Sequence, residues 1–240
     1  MIYRSIFLSD THIGSRNCNI NKLLDFLKET ECEYLFIVGD FIDGWELKNK
    51  WYWKSEYNIL IQKLLRKSRK GTQIHITYGN HDDFLSGFEN CELGNIYIHR
   101  QYIHTLANNK KYLILHGDQF DGIIQYAKWL QHIGSHLYNI ILDINSFTNK
   151  LMRRSGRTYS FAKAIKANTK SALKFVNKFE QCVITASKKN KCDGVICGHV
   201  HTAANKMIEN INYLNTGSWQ ENDFYVIVET LEGELQLITL

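Results

Sequence analysis

The chain has 240 residues, of which 44% are hydrophobic and 22% are charged, and its formal net charge is +5. This composition is typical of a globular protein and excludes a disordered or fibrous chain. The sequence lacks any run of about 18 apolar residues and starts with a quickly polar segment, so we expect neither a membrane span nor a signal peptide. None of the six cysteines forms a C-x-x-C pair, which predicts reduced, mostly buried thiols and a cytoplasmic location.

Hydrophobic patterning predicts strands that alternate with helices. In chain order, we predict a strand at 3–10, a helix at 20–30, a strand at 34–40, a helix at 51–68 and strands at 72–80, 111–118 and 193–201. Such alternation indicates a layered α/β fold. The tail after residue 201 alternates short strands with turns, which predicts an antiparallel meander that completes a second sheet.

Residues 119–192 interrupt this alternation with helical patterns only. A crossover between parallel strands needs little more than a dozen residues, so we interpret this segment as a helical lid inserted into a core of residues 1–118 and 193–240. From Lys150 to Lys191 there are twelve basic residues and one acidic residue, Glu180. This stretch therefore carries +11 and leaves −6 for the remainder of the chain, which predicts a basic lid on an acidic core.

Polar side chains follow five of the predicted strands, in the segments SDTH, GDFID, GNHD, HGD and GHVH. These segments supply Asp10, His12, Asp40, Asp43, Asn80, His81, His116, His199 and His201. Because ligands bind at the carboxyl ends of strands in open α/β sheets, we expect these side chains to share one rim. Carboxylate, amide and imidazole ligands suit Mn²⁺, Fe²⁺ or Zn²⁺. Two such ions about 3.5–4 Å apart are typical of displacement at phosphorus, and Asp40 is a candidate bridge between them.

The same five segments resemble, in order, the sequence blocks of the calcineurin-like metallophosphoesterases. The resemblance implies a four-layer α/β/β/α sandwich that binds two divalent ions, with Mn²⁺ expected. It implies that one ion is held by Asp10, His12, Asp40 and His201, and the other by Asp40, Asn80, His116 and His199. It also implies that His81, oriented by Asp43, stabilises developing charge or protonates the leaving oxygen. The alternative for His81 is a structural role in a turn.

Neighbouring residues are assigned supporting roles. Asp82 and Asp118 are predicted to accept hydrogen bonds that stabilise loops. Gly79 and Gly198 are predicted to permit tight turns beside the metals. The aromatic residues that follow the Asp40 segment, which include Trp45, Trp51 and Trp53, are predicted to pack in the core or to line an apolar channel for acyl chains.

Basic residues of the predicted lid are candidates for substrate binding. Helical spacing places Lys163, Lys166, Lys170 and Lys174 within about a third of a helix circumference. Arg153, Arg154 and Arg157 precede them and suit bidentate phosphate contacts. One interpretation of the lysine stripe is a solvated helix face. The other is a surface for an anionic substrate or an anionic membrane, with no nucleic acid expected because the aromatic residues lie on the opposite face.

Within the family, the chain is most similar to the UDP-2,3-diacylglucosamine diphosphatases of lipid A biosynthesis, which carry a lid between the HGD and GHxH blocks. The similarity implies hydrolysis of UDP-2,3-diacylglucosamine to UMP and 2,3-diacylglucosamine 1-phosphate, at the inner face of the cell membrane. His81 departs from that group, whose members have arginine in its place. The alternatives are a metallophosphodiesterase or phosphatase that acts on another phospholipid or a nucleotide, and a non-catalytic binding protein.

Overall fold

The computed structural model describes residues 1–16, 18–122, 161–219 and 224–240, without the side chains of 161–174. The chain comprises two compact units, Met1–Asp118 with Val183–Leu240, and Gln119–Cys182. Both β-sheets belong to the first unit. Residues 123–160 of the predicted lid lie outside the described part of the chain, and the lid boundaries stay a prediction.

The described part of the chain contains four α-helices and twelve β-strands. In order, they are β1 Ile2–Leu8, α1 Asn21–Glu29, β2 Glu31–Val38, α2 Gly44–Asn49, α3 Ser55–Arg69, β3 Gln73–Thr77, β4 Glu92–Leu93, β5 Ile96–His99, β6 Gln101–Thr105, β7 Lys111–Leu115, α4 Phe161–Lys189, β8 Gly194–Cys197, β9 Ala204–Ile208, β10 Ile211–Asn215, β11 Tyr225–Glu229 and β12 Leu235–Thr239. Short 3₁₀ helices occupy Asp83–Phe88 and Asp118–Phe120.

The strands form a seven-stranded sheet of order β12-β11-β1-β2-β3-β5-β4 and a five-stranded sheet of order β6-β7-β8-β10-β9. Strands β1, β2, β3 and β5 are mutually parallel in the first sheet. Strands β7, β8 and β10 are parallel in the second. Parallel neighbours end at the same edge of a sheet, so the loops after β1, β2 and β3 begin side by side, as do those after β7 and β8.

Side chains alternate between two apolar layers. On β1, Ile6 and Leu8 join a cluster that includes Leu27 of α1 and Leu60 of α3. Phe7 lies on the other face, in a cluster with residues of the second sheet, and its ring stacks on Phe36 with centroids 4.7 Å apart. Burial of each such side chain contributes roughly 1.5–3 kcal/mol, so the two layers hold helices, first sheet and second sheet together.

The predicted α/β fold with two sheets is confirmed, and α4 confirms the helix predicted near residue 161. The helix predicted at 51–68 begins only at Ser55, because the backbone of the preceding residue, Lys54, is extended. None of the helices in the described ranges is long and apolar enough to cross a membrane. All six cysteines are free thiols, and Cys91 is exposed while four of the others are buried.

The tail forms the four predicted strands as two antiparallel pairs, β9 with β10 and β11 with β12, but these pairs do not make one meander in a second sheet. Strands β9 and β10 join the second sheet, where β10 runs parallel to β8, whereas β11 and β12 join the first sheet beside β1. Alternation along the sequence identifies a strand but carries no information on its partner, which explains the error. Strands β4 to β6 were not predicted, since they are short and half exposed.

A histidine lies within the aromatic layer of the first sheet. His75 of β3 is 4% exposed, its ring stacks on Phe36 at 5.0 Å, and its Nδ1 lies 3.1 Å from His99 Nε2. Burial, helped by the nearby His99 and His104, lowers the pKa of His75 to about 4. The folded state therefore binds the proton less readily than the unfolded state does, and stability falls as the pH drops from about 6.5 towards 4.

Replacing His75 with phenylalanine removes this acid sensitivity. We expect His75→Phe to lose less stability than the parent chain between pH 7 and pH 4.5, by roughly 1 to 2 kcal/mol after allowance for solvent screening. Urea unfolding at the two pH values measures the difference. An identical loss in both chains would contradict a neutral, buried His75.

Candidate metal centre

The strand ends deliver the predicted side chains to the same edges of the two sheets. The loops after β1, β2 and β3 carry Asp10 and His12, Asp40 and Asp43, and Asn80 and His81; the loops after β7 and β8 carry His116, and His199 and His201. Asp10, Asp40, Asp43, His12 and His116 are all at most 3% exposed. Backbone hydrogen bonds connect the loops, from His12 N to Asp40 O at 3.0 Å and from Gly198 N to His116 O at 3.1 Å.

The structure brings these residues together in three groups whose ligand atoms lie within 4.8 Å of one another. They are Asp10 with His12 and His201, Asp40 with His116 and His199, and His12 with Asp43 and His81. The first two groups fall within the two predicted ligand sets. Asp40 lies between them, since its Oδ2 is 3.2 Å from His116 Nε2 and 3.7 Å from His12 Nε2.

Several buried donor and acceptor atoms of the site make no hydrogen bond. Within the described ranges these include His12 Nε2, His116 Nε2 and Asn80 Oδ1. His116 Nδ1 lies 2.9 Å from the Val38 carbonyl oxygen, so Nδ1 donates there and the neutral ring directs the lone pair of Nε2 into the site. An unsatisfied buried polar atom costs about 1–3 kcal/mol, and one divalent cation in each of the two predicted ligand sets would satisfy all three atoms. The side chains present therefore fit metal ions.

The backbone of the site is strained at the ligand positions. Ten non-glycine residues of the described chain have a positive φ, and five of them are predicted ligands: Asp10, His12, Asp40, His199 and His201. Each such conformation costs roughly 1–3 kcal/mol and persists only where the surroundings enforce it. The strain turns these side chains out of the strand direction and towards one another.

Two glycines allow the ligands to approach one another. A Cβ on Gly79 would lie 2.3 Å from Asp40 Oδ1, and one on Gly198 would lie 2.3 Å from Asp10 Oδ2. Gly198 takes part in the predicted tight turn, since its carbonyl oxygen accepts from Val200 N at 2.8 Å. Neither glycine has a positive φ, so what both positions require is space. Asp82 has the predicted role, since it accepts hydrogen bonds from the backbone amides of Phe41 at 2.8 Å and Gly79 at 2.6 Å. Asp118 likewise accepts from Arg100 at 2.8 Å.

The carboxylates dominate the electrostatics. Burial raises the pKa of Asp40, but the neighbouring His116 outweighs it and holds that pKa well below its usual range. Burial lowers the pKa of His116, yet the charge of Asp40 raises it to about 10. The raised pKa reflects the negative potential of the carboxylates at His116 Nε2, where a divalent metal ion would take the place of the proton.

His81 occupies the mouth of the site. Its Nδ1 lies 3.0 Å from Asp43 Oδ1, and its pKa is raised because this carboxylate and Asp40 outweigh the effect of burial. Trp45, half exposed, lies with its ring 4.1 Å from the His81 ring. A cleft of ≈ 380 Å³ opens here, lined by Trp45, Lys48, Asn80, His81, Asp83, Phe84 and Asp118.

The predicted substrate-binding residues of the lid are not placed beside this cleft by the described structure. Arg153, Arg154 and Arg157 lie outside the described residues. Lys163, Lys166, Lys170 and Lys174 belong to α4, in the part whose side chains are not described. Their role in binding therefore stays a prediction.

Sequence reasoning missed the hydroxyl groups that support the carboxylates. Ser9 donates a hydrogen bond to Asp10 Oδ2 and lies in hydrogen-bond contact with Thr216 Oγ1. Ser9 precedes Asp10 directly, which is a weak signal, whereas Thr216 lies after β10 and its proximity follows only from the tertiary fold. Trp45 does not pack in the core, because its ring is half exposed and lies 4.1 Å from the His81 ring. The alternative, that it lines a channel for acyl chains, stays a prediction.

Comparison with known proteins identifies a family and several similar proteins. A family model described as calcineurin-like phosphoesterase matches residues 3–203. A UDP-2,3-diacylglucosamine hydrolase of Pseudomonas syringae is 29% identical over 135 residues. The match covers 53% of this chain and 53% of that protein, so the chain spans about half the length of this curated relative. The protein of that name from Marinobacter nauticus is 25% identical over 233 residues, which cover 92% of each chain. A solved archaeal phosphodiesterase has a TM-score of 0.48 at 15% identity, with 98% of this chain and 99% of that chain covered.

The need for space at Gly79 leads to a prediction. In Gly79→Ala the added Cβ overlaps Asp40 Oδ1 and the His116 ring, so we expect bound metal to fall to less than half of the parent value. Gly87→Ala is the matched control, because a Cβ there meets nothing within 4 Å and the position has no positive φ. Mass spectrometry measures the metal content per chain of both variants and the parent. Full metal occupancy in Gly79→Ala would contradict the packing argument.

Proposed function

Because the chain belongs to the calcineurin-like phosphoesterase family, a family of hydrolases, we propose that it hydrolyses a phosphate ester or anhydride with two bound divalent metal ions. The observation that carries the proposal is the position of Asp40 between two groups of buried ligands. Its Oδ2 is 3.2 Å from His116 Nε2 on one side and 3.7 Å from His12 Nε2 on the other. A single carboxylate within reach of two imidazoles from different sheets is the arrangement that a shared ligand requires.

We assign one ion to Asp10, His12, Asp40 and His201, and the other to Asp40, Asn80, His116 and His199. Asn80 is included because its buried Oδ1 has no hydrogen-bond partner within the described chain. Two divalent ions stabilise the negative charge that develops on phosphoryl oxygens during displacement at phosphorus. Oxygen and imidazole ligands favour Mn²⁺ in this proposal, with Fe²⁺ or Zn²⁺ as alternatives.

His81 is the proposed proton donor. Asp43 accepts from Nδ1 and fixes the ring, which leaves Nε2 as the atom that holds the proton for the leaving oxygen. The raised pKa of His81 favours the protonated ring, and Trp45 covers one face of it. These contacts orient the ring and keep it charged before the reaction.

The proposed substrate is UDP-2,3-diacylglucosamine. Proteins named UDP-2,3-diacylglucosamine hydrolase are among the relatives at 25–29% identity, which supports this substrate for the present chain. Water would add at the α-phosphorus and the bond to the bridging oxygen would break. The products would be UMP and 2,3-diacylglucosamine 1-phosphate.

The basic segment 119–192 is the proposed selector for an amphiphilic substrate, and the inner face of the cell membrane is its proposed place of action. The support is the charge of +11 between Lys150 and Lys191, since each basic residue near an anionic bilayer contributes about 1 kcal/mol to binding.

A second candidate is a metallophosphodiesterase or phosphatase for another phospholipid or a nucleotide. His81 favours it, because the UDP-2,3-diacylglucosamine enzymes that the chain resembles have arginine at this position. The cleft beside His81 is lined by aromatic rings and Lys48, which suit a planar base or an apolar group next to a phosphate.

Phosphorus NMR of the purified chain separates these candidates. UDP-2,3-diacylglucosamine and an unacylated UDP-sugar are each incubated with Mn²⁺ or with chelator. Metal-dependent release of UMP from the acylated compound alone is the expected result. Turnover of a generic aryl phosphodiester with neither UDP compound cleaved would transfer the proposal to the second candidate.

Removal of the shared ligand tests the metal assignment. Because both ions depend on Asp40, we expect Asp40→Ala to retain less than a few per cent of the parent activity, which corresponds to a loss of about 2 kcal/mol or more of transition-state stabilisation. Initial rates with an aryl phosphodiester measure the effect. Retention of a quarter of the rate would rule out a bridging role.

His81 is expected to behave differently from the ligands. His81→Ala should keep both ions and slow turnover by roughly 10²–10⁴, the usual contribution of a positioned acid. The rate and the metal content of the same preparation are measured together. Loss of metal in this variant would show that His81 is a ligand and that its assignment as proton donor is wrong.

A further inference from the structure

A groove lies between α1 and α3, at the opposite end of the first sheet from the metal centre. It is lined by the end of α1, by one face of α3 and by Glu31 at the start of β2, whereas the metal centre lies beyond the ends of β1, β2 and β3. Its volume is ≈ 280 Å³. None of the side chains assigned to the metal centre lines it.

The groove carries an excess of positive charge. Its charged lining consists of Lys28, Lys63, Arg66, Lys67, Lys70 and Glu31. The buried Lys67 pairs with Glu31 at 3.2 Å, so the single acidic residue of the lining is already neutralised. The other four cations form no ion pair within 4.0 Å in the part of the chain that the structure describes.

Helix electrostatics explain only part of this arrangement. Lys28, Arg66 and Lys67 lie in last turns, where positive charge favourably offsets the helix dipole. Lys63 lies earlier in α3 and faces Arg66 and Lys67 at i+3 and i+4, where like charges destabilise a helix by roughly 0.2–0.5 kcal/mol per pair. The groove thus concentrates cations at a cost to the helix.

The pKa of Lys63 reflects the positive potential of the groove. Burial lowers the pKa of Lys63, and the charges of Lys67, Lys28 and Arg66 lower it further, while Asp25 opposes them. The net direction is downwards. A half-buried lysine whose neighbours disfavour its own charge gains from a bound anion.

We propose that this groove binds a small phosphate-rich anion, of about the size of inorganic triphosphate, at a site separate from the metal centre. The volume of ≈ 280 Å³ is at the lower end of the range for ligand pockets, which suits a small anion. The planar guanidinium of Arg66 suits bidentate contact with phosphate, and the lysines supply point charges around it. Ile59 provides an apolar wall.

Calorimetric titration of the full chain with inorganic tripolyphosphate at about 0.15 M ionic strength tests the proposal; this salt concentration screens weak surface attraction. The groove variant is Lys63→Gln with Arg66→Gln. The matched control is Arg69→Gln with Lys110→Gln, which removes the same charge from exposed positions outside the groove. We expect saturable binding by the parent chain, weakening of about tenfold or more in the groove variant, and less than about a twofold change in the control.

Equal weakening in both variants, or no binding by the parent chain, would overturn the proposal. Unchanged binding by the groove variant would also overturn it, because the tripolyphosphate would then bind elsewhere on the chain. Groove-dependent binding to anionic phospholipid vesicles without binding of free tripolyphosphate would also overturn it, because the surface would then recognise a membrane. The groove variant is expected to melt close to the temperature of the parent chain, because the relieved like-charge repulsion offsets the helix-dipole stabilisation lost at Arg66. A markedly lower melting temperature would assign these cations to the stability of the fold.

Discussion

Three buried carboxylates, Asp10, Asp40 and Asp43, meet at the carboxyl edge of the first sheet, and the local structure depends on neutralising them. Each is at most 3% exposed, so water screens their mutual repulsion poorly. His116, His201, His12 and His81 lie within 3.3 Å of one carboxylate each and supply part of the compensation. Divalent cations complete it, which links the stability of this edge to the chemistry of the site.

This requirement accounts for the form of the connecting loops. Three features bring charged groups nearer than ordinary turns permit. They are the predicted ligands at positive φ, the close approach at Gly79 and Gly198, and the hydroxyl of Ser9 against Asp10. Such strain is sustainable because the loops begin on adjacent parallel strands buried on both faces. The apolar layers therefore hold the site in place, and His116 and His199 reach it only because the second sheet packs on the first.

The sequence predicted the chemistry of the site better than its surroundings. The predicted ligands stand in short polar segments directly after apolar runs, so Asp10, Asp40 and His116 were identifiable as candidates without coordinates. The partners of β10 and β11 were not, because pairing between strands distant in sequence leaves no periodic signal. The contacts of Thr216 and the face of His81 covered by Trp45 depend on tertiary packing in the same way. The groove between α1 and α3 also escaped prediction, since its cations are ordinary helix residues until the two helices are placed together.

We propose that one chain holds two divalent ions that share Asp40. Metal-free protein can be titrated with Mn²⁺ and the separated complex analysed for metal. We expect two ions per parent chain. We expect retention of one ion in His201→Ala, which loses a ligand of one set only, and loss of both in Asp40→Ala. A parent chain that binds a single ion, or an Asp40→Ala chain that still binds two, would contradict the shared centre.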